Sequence, residues 1–190
     1  MSLESQTNKK KYNGSIEVIC GPMFSGKTEE LLRRLNRVRF TNLNIAVFKP
    51  QIDTRYDNEK IVSHNSNTFL AIPIKNPFEI LSLTKNADVI AIDEAQFFNR
   101  DLIEVCNKAA NNGKRVIITG LDMDFLGKPF TIIPDLLAIA EKITKLNAIC
   151  VDCGNEASYS FRITEKKSLI QLGEKKEYKP LCRSCFNHIS

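Results

Sequence analysis

Gly21-Pro22-Met23-Phe24-Ser25-Gly26-Lys27-Thr28 carries glycine, glycine, lysine and threonine at the spacing G-x-x-x-x-G-K-[ST]. Each fixed position has a task in holding a triphosphate. The glycines let backbone N–H groups turn inward toward phosphate oxygens. Lys27 brings a cation to the β- and γ-phosphates, and the Thr28 hydroxyl ligates Mg²⁺. The flanks suit this chemistry. Ser15–Cys20 is a short β-rich run leading into the loop, and Leu31, Leu32, Leu35 and Val38 recur at helical spacing behind it. Such a helix points its positive N-terminal end at the phosphates.

A phosphate loop of this kind needs a carboxylate at the end of a neighbouring strand, to hold Mg²⁺ through water. Asp93 stands there, after the apolar run Val89–Ile92, and Glu94 follows directly. On an extended backbone consecutive side chains point to different sides. Asp93 is therefore assigned to the metal and Glu94 to the incoming acceptor, as its general base. Asp-Glu-Ala-Gln also resembles the acidic motif of helicases, so the competing reading is a nucleic-acid-stimulated P-loop ATPase with a zinc ribbon. Such motors generally use two ATPase-like domains, and 190 residues hold one. A GTPase fits less well, because Asn107-Lys108 is followed by Ala109-Ala110 without the aspartate that reads guanine.

The third group is Cys150-x-x-Cys153 and Cys182-x-x-Cys185, separated by 28 residues. Four thiolates so paired close tetrahedrally on a structural Zn²⁺. A redox dithiol would need one pair in a thioredoxin-like setting. Cys20 and Cys106 fall within a strand and a helix and read as small buried side chains. Between the pairs, Tyr159, Phe161 and Tyr178 amid mixed charge make a thin platform for stacking nucleic-acid bases. Residues 154–181 are also read as too poor in large apolar side chains to order themselves by burial, and so as a lid that closes on substrate.

The elements that must position these groups alternate strand and helix. Asn44–Phe48 reads as a strand ended by Lys49-Pro50, and Asp53–Asn67 as loop. Phe69–Ile74 reads as a strand and Pro77–Thr84 as a helix. Asp88–Ile92 and Arg115–Thr119 read as central strands covered on both faces, with a helix over Arg100–Asn112 between them. A helix over Pro134–Lys142 and a strand over Ile143–Ile149 complete the series. The expected fold is α/β with a mostly parallel sheet, followed by a small segment clamped by zinc at its base. The expected divisions are a disordered leader over 1–14, a nucleotide-binding domain over 15–149 and a zinc-binding lid over 150–190.

Composition sets the outer bounds. The 43% hydrophobic content fills one domain and a small appendage, and the net charge of +5 suits anionic small molecules or nucleic acid. Arg33, Arg34, Arg37 and Arg39 read as a solvated helix face. No run approaches the 18 apolar residues of a membrane span, and the first dozen residues lack the apolar core of a secretory signal. The expectation is a cytoplasmic protein with no membrane partner and reduced cysteines.

GPMFSGKT (Gly21–Thr28), Asp53-x-Arg55-Tyr56 after Lys49-Pro50, DEAQFF (Asp93–Phe98), Leu121-Asp122 with Phe125, and the two cysteine pairs occur in an order and spacing that resemble thymidine kinases of the cytosolic, zinc-lasso kind. The likeness runs from about Ile16 to Phe186. It implies a P-loop doubly wound mostly parallel sheet with a small zinc-clamped lasso domain, and transfer of the γ-phosphoryl of ATP to the 5′-hydroxyl of thymidine or deoxyuridine, with Mg²⁺ and a structural Zn²⁺. By the same resemblance Glu94 is the proton acceptor, and Gly21–Thr28, Asp53, Arg55 and Asp93, Glu94, Ala95 and Gln96 gather at the nucleotide, Asp53 and Arg55 also near the sugar. Phe125 contacts the thymine, and Met23, Phe97 and Leu121 help wall the base. Leu169, Ile170, Gln171, Leu172, Gly173 and Tyr178 contact the nucleoside from the lasso. Ser160 stands where many relatives have threonine. The chain ends five residues after Cys185, which matches bacterial-type members. Those are usually homotetramers inhibited by thymidine triphosphate, with no nucleic-acid partner.

Overall fold

A computed structural model describes residues 13–52, 60–62, 68–164 and 177–189. Strand β1 (Ser15–Cys20) enters the phosphate loop, and α1 (Lys27–Val38) leaves it for β2 (Ile45–Pro50). The short strands β3 (Lys60–Val62) and β4 (Thr68–Leu70) precede β5 (Ile72–Ile74) and α2 (Glu79–Leu83). Then come β6 (Val89–Ile92), a single 3₁₀ turn (Ala95–Phe97), α3 (Asp101–Asn111), β7 (Arg115–Gly120), α4 (Ile133–Ile139) and β8 (Lys142–Lys145). The cysteine-bearing end holds β9 (Ala148–Ile149), β10 (Glu156–Ala157), β11 (Tyr159–Arg162), β12 (Tyr178–Leu181) and α5 (Arg183–Ile189).

Six strands form one sheet in the order β5-β2-β6-β7-β1-β8, and every neighbouring pair is parallel. Side chains that alternate along each strand feed two cores. Ile16, Val18, Ile90, Ile92, Val116 and Ile118 pack with Leu102, Val105 and Cys106 of α3 and Leu136 of α4. Ile19, Val89, Ala91 and Ile117 face the other way, onto Leu31, Leu32, Leu35 and Val38 of α1. Helices thus cover both faces. The chain crosses from β1 to β2 on one side and from β7 to β8 on the other, which opens a crevice at the C-terminal end of β1.

The arginines of α1 do not all lie on a solvated face. Arg34 is buried, donating from Nη1 to Glu17 Oε2 at 2.5 Å, from Nε to Glu30 Oε1 at 2.9 Å and from Nη2 to Thr144 Oγ1 at 2.8 Å. Arg115 Nε donates to the other Glu17 oxygen at 2.6 Å. Burial alone would raise the Glu17 pKa. The hydrogen bonds and charges of Arg115 and Arg34 together outweigh it and hold the carboxyl below its ordinary value of 4.5. Arg39 lies 3.8 Å over the Phe69 ring.

Several boundaries differ from expectation. β2 runs on to Pro50, because Phe48, Lys49 and Pro50 pair with β5. Phe69–Ile74 divides into β4, paired antiparallel with β3, and β5, which joins the sheet edge where Pro73 needs no inward N–H partner. β3 therefore falls inside the stretch read as loop. The helix expected to Lys142 stops at Ile139, since Lys142 starts β8. β8 ends at Lys145, and β9 pairs with β10 instead of the sheet.

The cysteine-bearing end also buries more than its composition suggests. Ala148, Cys150, Ala157, Tyr159, Leu181, Cys182 and Phe186 form a third core, with Tyr159 stacked on Phe186 at 4.4 Å between ring centroids. Ser160, Arg162 and Tyr178 are buried as well. The described ends of 154–181 thus contradict the expectation that this stretch lacks burial. The antiparallel pairing of β11 and β12 puts Tyr159, Phe161 and Leu181 on one face, in that core, and Ser160, Arg162 and Tyr178 on the other.

Candidate active site

The parallel register sets Cys20 opposite Gly120 and Ile92 opposite Ile118, so the residues that follow β1, β6 and β7 emerge at one end of the sheet. Gly21 leaves β1 at φ +145°, and a Cβ there would lie 2.2 Å from the Leu146 carbonyl oxygen. Phe24 at φ 66° and Gly26 at φ 81° turn the loop, and Gly26 caps α1. The Ser25 hydroxyl and the Lys27 ammonium both donate to the Pro22 carbonyl, at 2.8 and 2.7 Å. The Met23 N–H donates to Ser160 Oγ at 2.9 Å, tying the loop to β11 across 137 residues of sequence.

Asp93 follows β6, one strand removed from β1. Its Oδ1 accepts from the Thr119 hydroxyl and from the Glu94 N–H, the latter at 3.0 Å. Glu94 has φ 53° and ψ 43°. The two carboxylates are therefore separated by a left-handed turn rather than by extended alternation, which corrects the expected geometry. A non-glycine residue in that region needs support from its surroundings. Gln96 supplies part of it: the buried amide donates from Nε2 to Glu94 Oε2 at the short end of hydrogen-bond range, and its Oε1 accepts from the Leu121 N–H at 3.1 Å.

Of the residues expected to meet the base, Met23 and Ser160 share the hydrogen bond above, Leu121 meets Gln96, and Phe97 is half-buried on the 3₁₀ turn. Phe125 and Tyr178 converge on a residue absent from the expected set. The Arg162 guanidinium lies 3.7 Å over the Phe125 ring and donates to the Tyr178 hydroxyl from Nε at 3.1 Å and Nη2 at 2.7 Å. Period-two alternation along Tyr159–Arg162 places Arg162 on the same face as Ser160, which was the available signal. Lys145 and Asp122 form a second unexpected pair, 2.8 Å apart across the C-terminal end of β1. Asp53, Arg55 and Leu169, Ile170, Gln171, Leu172 and Gly173 lie outside the described residues.

The ligand atoms of Cys150, Cys153, Cys182 and Cys185 all lie within 4.8 Å of one another, and the Cys153 and Cys182 sulfurs are 3.5 Å apart. Tetrahedral sulfurs about 2.3 Å from zinc would stand about 3.8 Å apart, so the donor set fits that ion. The Cys185 N–H and the Asn155 amide each approach a thiol sulfur at 3.4 Å, which suits a charged thiolate better than a thiol. The remaining cysteines are inert. Burial pushes the Cys20 thiol to about 11 and that of Cys106 to about 12.

A phosphate loop between strand and helix, with a carboxylate pair two strands along a parallel sheet, is the construction of P-loop phosphotransferases. The thymidine kinase family model matches residues 14–186, which take in that loop, the acidic turn and both cysteine pairs. The chain belongs to the thymidine kinase family. It is 52% identical to a thymidine kinase of Bacteroides thetaiotaomicron over 183 residues, 96% of this chain and 92% of that one. It is 52% identical to one of Porphyromonas gingivalis over 177 residues, 93% and 87% of the two chains. A thymidine kinase of a Rhodothermus species is 49% identical over 173 residues, 91% and 81% of the two.

Proposed function

We propose that this ATP-dependent kinase transfers the γ-phosphoryl of ATP to the 5′-hydroxyl of thymidine, and of deoxyuridine, giving the 5′-monophosphate and ADP. The observation that carries this reading is the Met23–Ser160 hydrogen bond. It sets the phosphate loop against the paired strands β11 and β12, whose Arg162 meets both Phe125 and Tyr178. A phosphate donor site and an aromatic-lined acceptor site thereby share a border. The bond from the β,γ-bridging oxygen to the γ-phosphorus breaks as one from the 5′-oxygen forms, and Glu94 takes the hydroxyl proton. Lys27 opposes charge on the transferring group. Thr28 and Asp93 are the residues that would hold Mg²⁺, which neutralises phosphate charge when bound. On this reading Met23, Phe97, Leu121, Phe125, Ser160 and Tyr178 wall the nucleoside, their Met and Phe side chains accept the 5-methyl group, and a purine is rejected for lack of room.

The same reading keeps Asp53 and Arg55 near the phosphates and sugar, and Leu169–Gly173 at the nucleoside, on sequence grounds alone. It treats 15–149 as the nucleotide-binding domain and 150–190 as a lobe held by Zn²⁺ on Cys150, Cys153, Cys182 and Cys185. It takes the enzyme to be a cytoplasmic homotetramer, inhibited by thymidine triphosphate and with no nucleic-acid partner. A screen of nucleosides with Mg-ATP is the test. Phosphorylation of thymidine and deoxyuridine alone is expected, competitively suppressed by thymidine triphosphate. ATP hydrolysis that appears only with RNA or DNA would overturn the reading in favour of a nucleic-acid-stimulated ATPase.

A further inference from the structure

We infer that Gln96 is a positioning residue for Glu94, and that it acts through that carboxylate rather than by touching nucleotide. The inference rests on the reading of Glu94 as base. Gln96 is 1% exposed, so its amide is closed off from solvent. Both ends of that amide are used. Nε2 donates to Glu94 Oε2, and Oε1 accepts from the Leu121 N–H at 3.1 Å. A buried amide bonded at both ends cannot flip without leaving a donor and an acceptor unmatched. Its main chain is pinned as well, since the Thr131 hydroxyl donates to the Gln96 carbonyl at 2.9 Å.

The packing explains why the amide sits there. Gly120 ends β7, and a Cβ on it would meet Gln96 Oε1 at 3.1 Å and the Ile133 Cδ1 at 2.4 Å. The missing side chain lets the Ile133 side chain and the Gln96 amide oxygen both pack against the strand end. Beyond the last paired residues of β6 and β7, Gln96 therefore ties the left-handed turn bearing Glu94 to the backbone of Leu121 at the base wall. One donor on Oε2 fixes the carboxylate's rotation about its last bond, where a terminal sp³–sp² torsion is otherwise broad. Displacement of a base by about an ångström costs on the order of a hundredfold in rate.

The test is a double-mutant cycle on the full-length protein with thymidine and Mg-ATP. Gln96→Met keeps the volume and removes both amide bonds. It is expected to lower kcat roughly 10- to 100-fold while KM for ATP and for thymidine stays within about threefold. Glu94→Gln with Gln96→Met should be no slower than Glu94→Gln alone, because a group that acts through Glu94 has nothing left to act on. Gln96→Leu, of different shape, is read in parallel in case Gln96→Met does not fold, with thermal unfolding as the check on both. Unchanged kcat in the folded Gln96 variants overturns the inference. So does a kcat loss that multiplies with that of Glu94→Gln, or one matched by weakened ATP binding, which would make Gln96 a nucleotide contact. Near-normal turnover in Glu94→Gln is a different failure: it removes the base itself, and the positioning role falls with it.

Discussion

Lys27 Nζ lies 2.7 Å from the carbonyl of Pro22 in its own loop, so the ammonium is held against the loop that carries it. A point charge so placed is worth most where charge builds up on a transferring phosphoryl. Lys27→Ala is expected to lower phosphoryl transfer by roughly a thousandfold or more, with little change in the thermal midpoint. Single-turnover measurements at saturating Mg-ATP check this, and turnover within about tenfold of the native value would remove Lys27 from that role. The loop and Asp93-Glu94 were legible as residues because their spacing is itself the chemistry. The turn between the two carboxylates was not. Nothing in the dipeptide signals a left-handed Glu94, because its partners, Thr119 of β7 on Asp93 and Gln96 of the 3₁₀ turn on Glu94, meet it only in the fold. Arg162 was passed over for a related reason, since its partners Phe125 and Tyr178 stand 37 and 16 residues away in the chain.

The elements are joined by charge as well as by apolar packing. Glu17 of β1 binds Arg34 of α1 and Arg115 of β7, so one carboxylate holds a helix to two adjacent strands. Removing one partner of a buried ion pair strands the other charges, and Glu17→Gln should destabilise the fold by about 3 kcal/mol. The acid limb follows with a definite sign. Glu17 is held below its ordinary 4.5. Hydrogen bonding to Arg33 chiefly lowers Glu30, partial burial opposes it, and Arg34 adds to the lowering, to about 2. Folded-state values below the unfolded ones give stability that is present above pH 4.5 and lost as pH falls toward 2. Thermal midpoints measured from neutral pH to pH 2 should drop faster for the native protein than for Glu17→Gln, and the curves should converge. Parallel curves would rule out Glu17 as the linked group. The helical spacing of Leu31, Leu32, Leu35 and Val38 was enough to find α1. It could not tell that Arg34 faces inward, because a charge on the apolar stripe is recognised only once Glu17 lies opposite.

At the scale of the whole molecule three cores are stacked along the chain, two on the faces of the sheet and one among the cysteines. The third is small, and its residues come from both sides of residues 165–176. A core of that size needs a staple. The purified protein should hold about one zinc per chain, and its removal by a chelator should melt this core and stop turnover, although none of the four clustered cysteines belongs to the phosphate loop. Elemental analysis and tyrosine fluorescence, reporting on Tyr159 against Phe186, follow the two events. Less than roughly a tenth of an equivalent in fully active protein would contradict the metal's role. Cys150→Ser is expected to behave like the chelated protein. The cysteine spacing was enough to expect the four thiols to gather at one point. The burial of Ser160, Arg162 and Tyr178 was hidden because it arises from pairing β11 with β12.

The contact between Met23 and Ser160 also settles an account of amide protons. A phosphate loop binds anions through main-chain N–H groups, and each such group can be aimed only once. Pro22 has none to offer, and that of Met23 is directed into the Ser160 hydroxyl. On the proposed reading the N–H groups beyond Met23 that are left for phosphate oxygens start at Phe24 and run into the first turn of α1. The bends at Phe24 and Gly26 lie within that stretch. On the proposed reading the loop is divided along its length, with Met23 bonded to β11 and the stretch from Phe24 onward left to serve the anion. A hydroxyl at position 160 is part of what draws that line.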